Sequence, residues 1–106
     1  MEYRSLGRTG VLVSPICIGT AFRSQENENI CVRVIEHALD RGCNFIDTAL
    51  YGEGKSEKIV GRVLEGRRNE VVLTTKIFKT LGDNPNAGRL NRLNIMSGVE
   101  ASLRRL

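Results

Sequence analysis

Residues 44–57, with the sequence N-F-I-D-T-A-L-Y-G-E-G-K-S-E, predict a β-strand that ends in a polar loop. The apolar pair Phe45 and Ile46 leads directly into Asp47, and a turn that contains two glycines then opens a helical pattern. In parallel α/β folds, ligands and catalytic groups collect at the carboxyl ends of the strands and in the loops that follow them. We therefore expect Asp47 and Tyr51 to lie at a functional site.

The chain on both sides of this stretch alternates between strand and helix patterns. Residues 16–20 and 71–76 are β-prone runs without strict polar alternation, which is typical of parallel strands. Two further β-prone runs, residues 3–6 and 11–13, flank a glycine-containing reversal and predict an N-terminal hairpin. A helical pattern follows each of the runs at residues 16–20 and 71–76, and another follows the strand predicted in residues 44–57. This alternation predicts right-handed βα units and a parallel sheet.

Each predicted helix has one apolar face, which we expect to be buried. The apolar positions are Ile30, Val34, Ile35, Ala38 and Leu39 in the first helix, Ile59, Val60, Val63 and Leu64 in the second, and Ile95, Val99, Leu103 and Leu106 in the third. Ser24 or Asn27 is the expected N-cap of the first helix, and Asn91 or Asn94 that of the third. Gly98 is expected to weaken the third helix from within.

Length and composition are typical of one globular α/β chain. The 106 residues are 41% hydrophobic and 26% charged, and the net charge of +4 is spread over scattered lysines and arginines. The sequence lacks a dense basic patch, so binding to nucleic acid is not predicted. No apolar run approaches the ~18 residues of a membrane span, and the N-terminus lacks a signal-peptide core. A cytoplasmic protein that does not bind membranes is expected.

The cysteines and the single histidine do not predict a metal site. Cys17, Cys31 and Cys43 have no metal-binding spacing, and each lies in or beside an apolar run. Buried free thiols in a reducing compartment are the expected state. His37 has no second ligand nearby in its helical pattern.

Asp47, Tyr51 and Lys76 are the candidate catalytic residues, because successive parallel strands would place them on the same rim of the sheet. Reduction of a carbonyl group by hydride leaves negative charge on oxygen, which needs a proton donor. A tyrosine with a pKa of about 10 donates efficiently when a nearby cation lowers that pKa, and a lysine held by a carboxylate is a suitable cation. Taken alone, the three residues more often represent a capping aspartate, a packed tyrosine and a solvated lysine.

Four segments resemble the aldo-keto reductase family, in the family's order. They are residues 3–20 (Y-R-S-L-G-R-T-G-V-L-V-S-P-I-C-I-G-T), 44–57 without Leu50 (N-F-I-D-T-A and Y-G-E-G-K-S-E), 71–76 (V-V-L-T-T-K) and 99–106 (V-E-A-S-L-R-R-L). The resemblance implies a (β/α)8 TIM barrel, of which residues 1–106 would be a partial domain made of the hairpin and the first three βα units. It also implies reduction of aldehydes and ketones, small carbonyl substrates, and NADPH as cofactor, with NADH as the alternative.

Residue matching carries the family's roles onto this chain. The resemblance implies that Asp47 holds Lys76, that Lys76 lowers the pKa of Tyr51, and that Tyr51 donates the proton. It also implies that Gly19 and Thr20 lie near the nicotinamide, together with Asp47.

The chain differs from the family pattern in two ways. Three residues separate Asp47 from Tyr51 where the family usually has four, so the turn must either absorb a deletion or displace Tyr51. The family's catalytic histidine and its sites for the cofactor phosphates follow beyond Leu106. The 106 residues alone are therefore expected to be inactive and to bind NADPH weakly.

Two alternatives remain open from the sequence. The segment from Ala49 to Ser56, A-L-Y-G-E-G-K-S, fits a loosened phosphate-binding loop between a strand and a helix. Ala49 stands where the stricter pattern has glycine, and Asp47 and Glu53 would bring negative charge to the phosphates, so this interpretation is the less favoured. The other alternative is a non-catalytic binding or regulatory module, or a gene remnant. Three strands cannot close an eight-stranded barrel, so as a partial barrel the chain would leave an unpaired edge on its third strand, residues 71–76, and this edge is expected to favour self-association.

Overall fold

The computed structural model describes residues 1–78 and 83–106. Its strands are β1 (Arg4–Ser5), β2 (Leu12–Val13), β3 (Ile18–Gly19), β4 (Phe45–Asp47) and β5 (Val72–Thr74), and its α-helices are α1 (Glu28–Asp40), α2 (Lys55–Val63) and α3 (Arg92–Arg105). Short 3-10 helices span Phe22–Ser24 and Arg68–Glu70. Residues 79–82 lie outside the described residues.

The strands form a hairpin and a separate parallel sheet. β1 and β2 pair antiparallel, and β3, β4 and β5 pair parallel in that order. Ile46 lies opposite Ile18 on one side and Leu73 on the other. The predicted hairpin, the parallel sheet and the alternation of strands with helices are confirmed, although each strand is shorter than its β-prone run.

The core lies between the sheet and the helices α1 and α2. Ile35 of α1, Ile46 of β4 and Val60 of α2 are fully buried in one cluster. Successive side chains of a strand point to opposite faces, so Phe45 and Asp47 point away from this cluster. The face of the sheet that carries Asp47 is therefore the face opposite the helices.

Two of the proposed N-caps are confirmed. The side chain of Asn27 accepts a hydrogen bond from the N–H of Asn29 at 3.1 Å, and that of Asn91 accepts one from the N–H of Asn94 at 3.0 Å. Each bond satisfies an amide that the first turn of a helix leaves without a partner. Ser24 lies instead in the first 3-10 helix.

The predicted buried face of α1 is partly wrong. Ile35 is buried, but Ile30 and Val34 remain 47% and 48% exposed, while Cys31 faces the core instead. The apolar residues of this helix cover a wider arc than the sheet and α2 can bury, so one side of the arc stays in solvent.

The predicted buried face of α3 is wrong at three of its four positions. Ile95, Val99 and Leu103 are exposed, whereas Leu106, directly after the helix, packs against the core. The buried residues of α3 are Asn94, Gly98 and Ser102. The reason is close approach. A Cβ on Gly98 would lie 2.7 Å from Cγ2 of Ile77, and a Cβ on Gly61 of α2 would collide with the carbonyl oxygen of Arg105. Small residues let α3 approach its neighbours closely, so Gly98 marks a packing contact rather than a weak point.

The cysteines differ from the expectation at one position. Cys31 and Cys43 are buried free thiols, as predicted, but Cys17 is exposed. Cys17 precedes Ile18, which packs against the core, so strand alternation turns the Cys17 thiol to the opposite face. None of the helices in the described part of the chain has the length and apolar character needed to cross a membrane.

Candidate active site

An ion pair joins the carboxyl ends of β4 and β5. The Nζ atom of Lys76 lies 2.7 Å from both carboxylate oxygens of Asp47 and donates to the carbonyl oxygen of Thr48 at 2.9 Å. The hydroxyl of Thr74 donates to Oδ1 of Asp47 at 2.6 Å. Asp47 and Thr74 are register partners, so the sheet itself places their side chains side by side. The ammonium group is thereby fixed by three oxygen atoms at the rim.

The pKa of Asp47 lies below its ordinary value. Partial burial by itself raises the pKa of this carboxyl, but hydrogen bonds from Lys76 and Thr74, together with the charge of Lys76, outweigh that effect. The side chains of Lys76 and Asp47 are 52% and 37% exposed, so solvent screens their attraction and the pair adds little stability. Its main effect is to hold a positive charge in one place.

Tyr51 lies on the turn after β4, but its ring faces a different cation. The guanidinium carbon of Arg23 lies 5.4 Å from the centroid of the Tyr51 ring. Within residues 1–78 and 83–106, no hydrogen bond joins Tyr51 to Lys76 or Asp47. The structure thus brings Asp47 and Lys76 together, whereas Tyr51 is on the adjoining turn with its ring against the loop that follows β3.

Gly19 and Thr20 border Asp47 at the end of β3. Gly19 is the register partner of Asp47, and a Cβ added to it would meet no atom within 4 Å, so the surface beside Asp47 is open. Thr20 is 1% exposed, and its N–H and hydroxyl both donate to the carbonyl oxygen of Asp47, at 3.0 and 3.1 Å. Gly19 lines the open surface, while the buried Thr20 holds the ends of β3 and β4 together by these two hydrogen bonds.

A buried ion pair supports the rim from the helix side. Glu57 is fully buried, and its two carboxylate oxygens accept hydrogen bonds from Nε of Arg105 at 2.6 Å and from the hydroxyl of Thr75 at 2.7 Å. Thr75 precedes Lys76, so Glu57 connects α2, α3 and the end of β5. This network was not predicted from the sequence. The signal that could have indicated it is that Glu57 lies one turn before Val60, on the buried face of α2.

A cavity of about 380 Å³ opens between the end of β5 and α3. Lys76 and Leu50 lie on one side of it, and the small polar residues of α3, including Asn94 and Ser97, lie on the other. A cavity of this size can hold a small molecule. Lys76 is therefore accessible from the side of α3.

The turn from Ala49 to Ser56 uses several of its candidate phosphate-binding groups within the chain. The amides of Lys55 and Ser56 donate to carbonyl oxygens of the same turn, at 3.1 and 3.2 Å. The ammonium of Lys55 donates to the carbonyl oxygen of Gln25, and the hydroxyl of Ser56 accepts from the N–H of Phe22. Two of the amides, the lysine ammonium and the serine hydroxyl of this candidate loop are thus engaged within the chain, which disfavours nucleotide binding here.

The chain belongs to the Aldo/keto reductase family, whose sequence profile matches residues 15–106. It is 42% identical over 119 aligned residues to the uncharacterized oxidoreductase YrpG of Bacillus subtilis (strain 168), covering 100% of this chain and 36% of that protein. It is 38% identical over 112 residues to a probable voltage-gated potassium channel subunit beta of Arabidopsis thaliana, covering 100% of this chain and 34% of that one.

A solved structure has the same fold over the whole chain. The holo form of the aldo-keto reductase AKR11C1 from Bacillus halodurans superimposes with a TM-score of 0.88 at 32% sequence identity. The match covers 100% of this chain and 36% of that one. The chain therefore spans about a third of the length of the relatives that it matches.

Proposed function

We propose that residues 1–106 are a partial aldo-keto reductase domain, the hairpin and first three βα units of a (β/α)8 barrel. We further propose that the complete barrel reduces small aldehydes or ketones to alcohols with NADPH or NADH in the cytoplasm. Family membership and the parallel order of β3, β4 and β5 support this proposal. The single observation that carries it is the Asp47–Lys76 ion pair, which fixes a positive charge at the carboxyl rim of the sheet.

The proposed chemistry needs a proton donor beside that charge. NADPH, when bound, would supply the hydride that adds to the carbonyl carbon, and the carbonyl oxygen would take up the proton of the donor. Lys76, held by Asp47 and by the carbonyl oxygen of Thr48, favours the anionic form of a nearby phenol and so makes it a better acid. Tyr51 is the proposed donor by family match. To act in this way, the phenol of Tyr51 must rotate from Arg23 towards Lys76, while the backbone of its turn stays packed against the loop of Arg23.

The residues present fit the nicotinamide end of the cofactor. The open surface at Gly19 leaves room for a flat ring, and the partly exposed carboxylate of Asp47 can accept a hydrogen bond from a sugar hydroxyl. Thr20, which is buried against the Asp47 carbonyl, would act by fixing the strand ends. Because this surface covers one end of a long cofactor, we propose that the 106 residues alone bind NADPH weakly or not at all. Micromolar binding in a calorimetric titration would contradict this.

The catalytic proposal is tested in a complete polypeptide. Residues 1–106 can be joined to the remaining two-thirds of the Bacillus subtilis relative, and reduction of an aldehyde followed by the loss of NADPH absorbance. Asp47→Asn and Lys76→Met should each lower kcat by about 100-fold or more, because loss of general acid catalysis costs about that factor. Lys58→Met, which removes an exposed lysine from α2, is the matched control. Equal rates in Lys76→Met and Lys58→Met would refute the assigned role.

The position of Tyr51 favours a second candidate function, a binding module that holds the cofactor without reducing a substrate. Its ring contacts Arg23 rather than Lys76, and one relative is named as a channel subunit. Tyr51→Phe in the joined polypeptide separates the two candidates. If Tyr51→Phe loses turnover and keeps its affinity for NADPH, the reductase is supported. If the joined polypeptide without this substitution binds NADPH but reduces no aldehyde, the binding module is supported.

We also propose that the 106 residues associate with one another. β5 is the last strand of the parallel sheet and has one paired edge, to β4. The exposed apolar residues of α3 form a second surface that favours association, besides the edge of β5. Sedimentation should reveal oligomers or a loosely packed species. A monodisperse monomer with dispersed amide resonances and a cooperative melt would contradict this expectation.

A further inference from the structure

Arg23 is held beside the proposed active site by packing. It lies in the 3-10 helix after β3, and its guanidinium carbon is 5.4 Å from the centroid of the Tyr51 ring. A Cβ on Gly52 would lie 3.2 Å from Cα of Arg23, so the two loops are in close contact. The N–H of Phe22 donates to the hydroxyl of Ser56 at 3.1 Å and ties the same loop to the start of α2. The base of the Arg23 side chain is therefore fixed relative to Tyr51.

Strand register explains why these two residues meet. Gly19 and Asp47 are partners in the parallel pairing of β3 with β4. Arg23 follows Gly19 by four residues, and Tyr51 follows Asp47 by four. Both side chains thus come from loops that leave adjacent strands at the same rim. Arg23 belongs to the rim that also carries the ammonium group of Lys76.

The guanidinium of Arg23 is available to a planar anion. The cation–π contact with the Tyr51 ring uses the charge of the guanidinium and not its N–H donors, which can bind a bidentate acceptor. In the part of the chain that the structure describes, the Arg23 side chain has no carboxylate or carbonyl partner, and it is exposed. The cations that do face a carboxylate are Arg62, Arg67, Lys76 and Arg105. Arg23 is thus a cation at this rim whose backbone is held by packing and whose guanidinium has no acceptor among the described residues.

We propose that Arg23 binds a carboxylate on the carbonyl substrate, so that the enzyme prefers oxo acids and other aldehydes or ketones that carry a carboxylate. This inference rests on the reductase function proposed above. The carbonyl group would lie towards Lys76 and the carboxylate towards Arg23, with the Tyr51 turn between them. A cofactor phosphate would offer similar chemistry to Arg23, and the kinetic experiment below separates these two sources of negative charge.

Binding of a carboxylate probe tests the site in the 106-residue chain itself. Ligand-observed fluorine NMR would compare para-fluorobenzoate with the neutral para-fluorobenzamide. The benzoate should bind the wild-type chain more tightly than the amide, and Arg23→Gln should weaken benzoate binding by about 10-fold or more, the effect of losing a charge-assisted bidentate bond. Arg23→Lys should retain part of the binding, since it keeps the charge but not the fork. Arg33→Gln, an exposed arginine of α1, is the control and should leave binding unchanged.

Equal benzoate binding by the wild type and Arg23→Gln would overturn the inference. So would an equal loss of benzoate and benzamide, because that result means that Arg23 shapes the surface without recognising charge.

The joined polypeptide tests substrate preference. It should reduce para-carboxybenzaldehyde with a kcat/KM at least about 10-fold above that of the methyl ester, and Arg23→Gln should remove most of this ratio. The KM for NADPH should stay unchanged. A raised KM for NADPH with the ratio intact would assign Arg23 to a cofactor phosphate and overturn the inference. If the parent reduces neither aldehyde, the proposed function fails, and the NMR comparison alone decides whether Arg23 is a carboxylate site.

Discussion

Breaking the buried Glu57–Arg105 pair from its two ends should have unequal costs. Arg105→Met leaves the fully buried carboxylate of Glu57 without its cation, and an uncompensated buried charge costs about 3–5 kcal/mol. Glu57→Gln keeps an acceptor for the hydroxyl of Thr75 and leaves Arg105, whose side chain is 17% exposed, with a path to solvent. We expect that change to cost about 1.5–3 kcal/mol, the range for a lost hydrogen bond to a charged group. The double variant should cost less than the sum of the two.

Urea unfolding of the joined polypeptide, followed by circular dichroism, measures these differences. A folded domain has a free energy of unfolding of about 5–15 kcal/mol, so Arg105→Met should remove a large fraction of it. Arg104→Met, which changes the exposed neighbouring arginine of α3, is the matched control and should shift unfolding little. If Arg104→Met and Arg105→Met unfold at the same urea concentration, or if Glu57→Gln costs more than Arg105→Met, the assignment of Glu57 as the charge that needs compensation is wrong.

Three further predictions concern the rim and the helix contact. Because the folded-state pKa of Asp47 is lowered, its stabilisation is complete above the unfolded pKa of about 3.9 and is lost as the pH falls through the lower folded value. Asp47→Asn should therefore reduce the loss of stability in acid, and parallel acid-unfolding curves would contradict this. Although Cys17 is exposed, partial desolvation of its thiol, with a further contribution from the charge of Asp47, raises the pKa of that thiol. Iodoacetamide should therefore alkylate Cys17 more slowly than it alkylates the thiol of glutathione at mildly alkaline pH, as followed by mass spectrometry. Faster alkylation would contradict the raised pKa. Gly61→Ala should destabilise the chain, by about 1–3 kcal/mol in chemical denaturation, because the new Cβ meets the backbone of Arg105 and this overpacking exceeds the gain in helix propensity; a more stable variant would show that α3 can move away.

Local patterns were sufficient to predict the order of the elements. The hairpin, the three parallel strands and the caps Asn27 and Asn91 each depend on a few consecutive residues, and the structure contains them. The proximity of Asp47 and Lys76 was predictable for a related reason. Both follow strands that pair side by side, so the topology alone brings them to one rim.

Contacts between elements were not predictable from periodicity. The apolar period of α3 indicated that Val99 and its neighbours are buried, yet close packing selected the face with Gly98 and Ser102. Periodicity reports where apolar residues lie and not how near a neighbouring backbone comes. The contact between Arg23 and Tyr51 likewise depends on how the shortened turn folds, and the sequence left that open.

Isotope transfer tests the central proposal most directly. The joined polypeptide would be given an aldehyde and NADPH carrying deuterium at the transferable position of the nicotinamide, and the alcohol would be analysed by mass spectrometry. We predict that the alcohol carries the deuterium and that Lys76→Met slows its formation by about 100-fold or more. An alcohol without deuterium, or formation at an unchanged rate in Lys76→Met, would contradict the proposal that this rim supports carbonyl reduction.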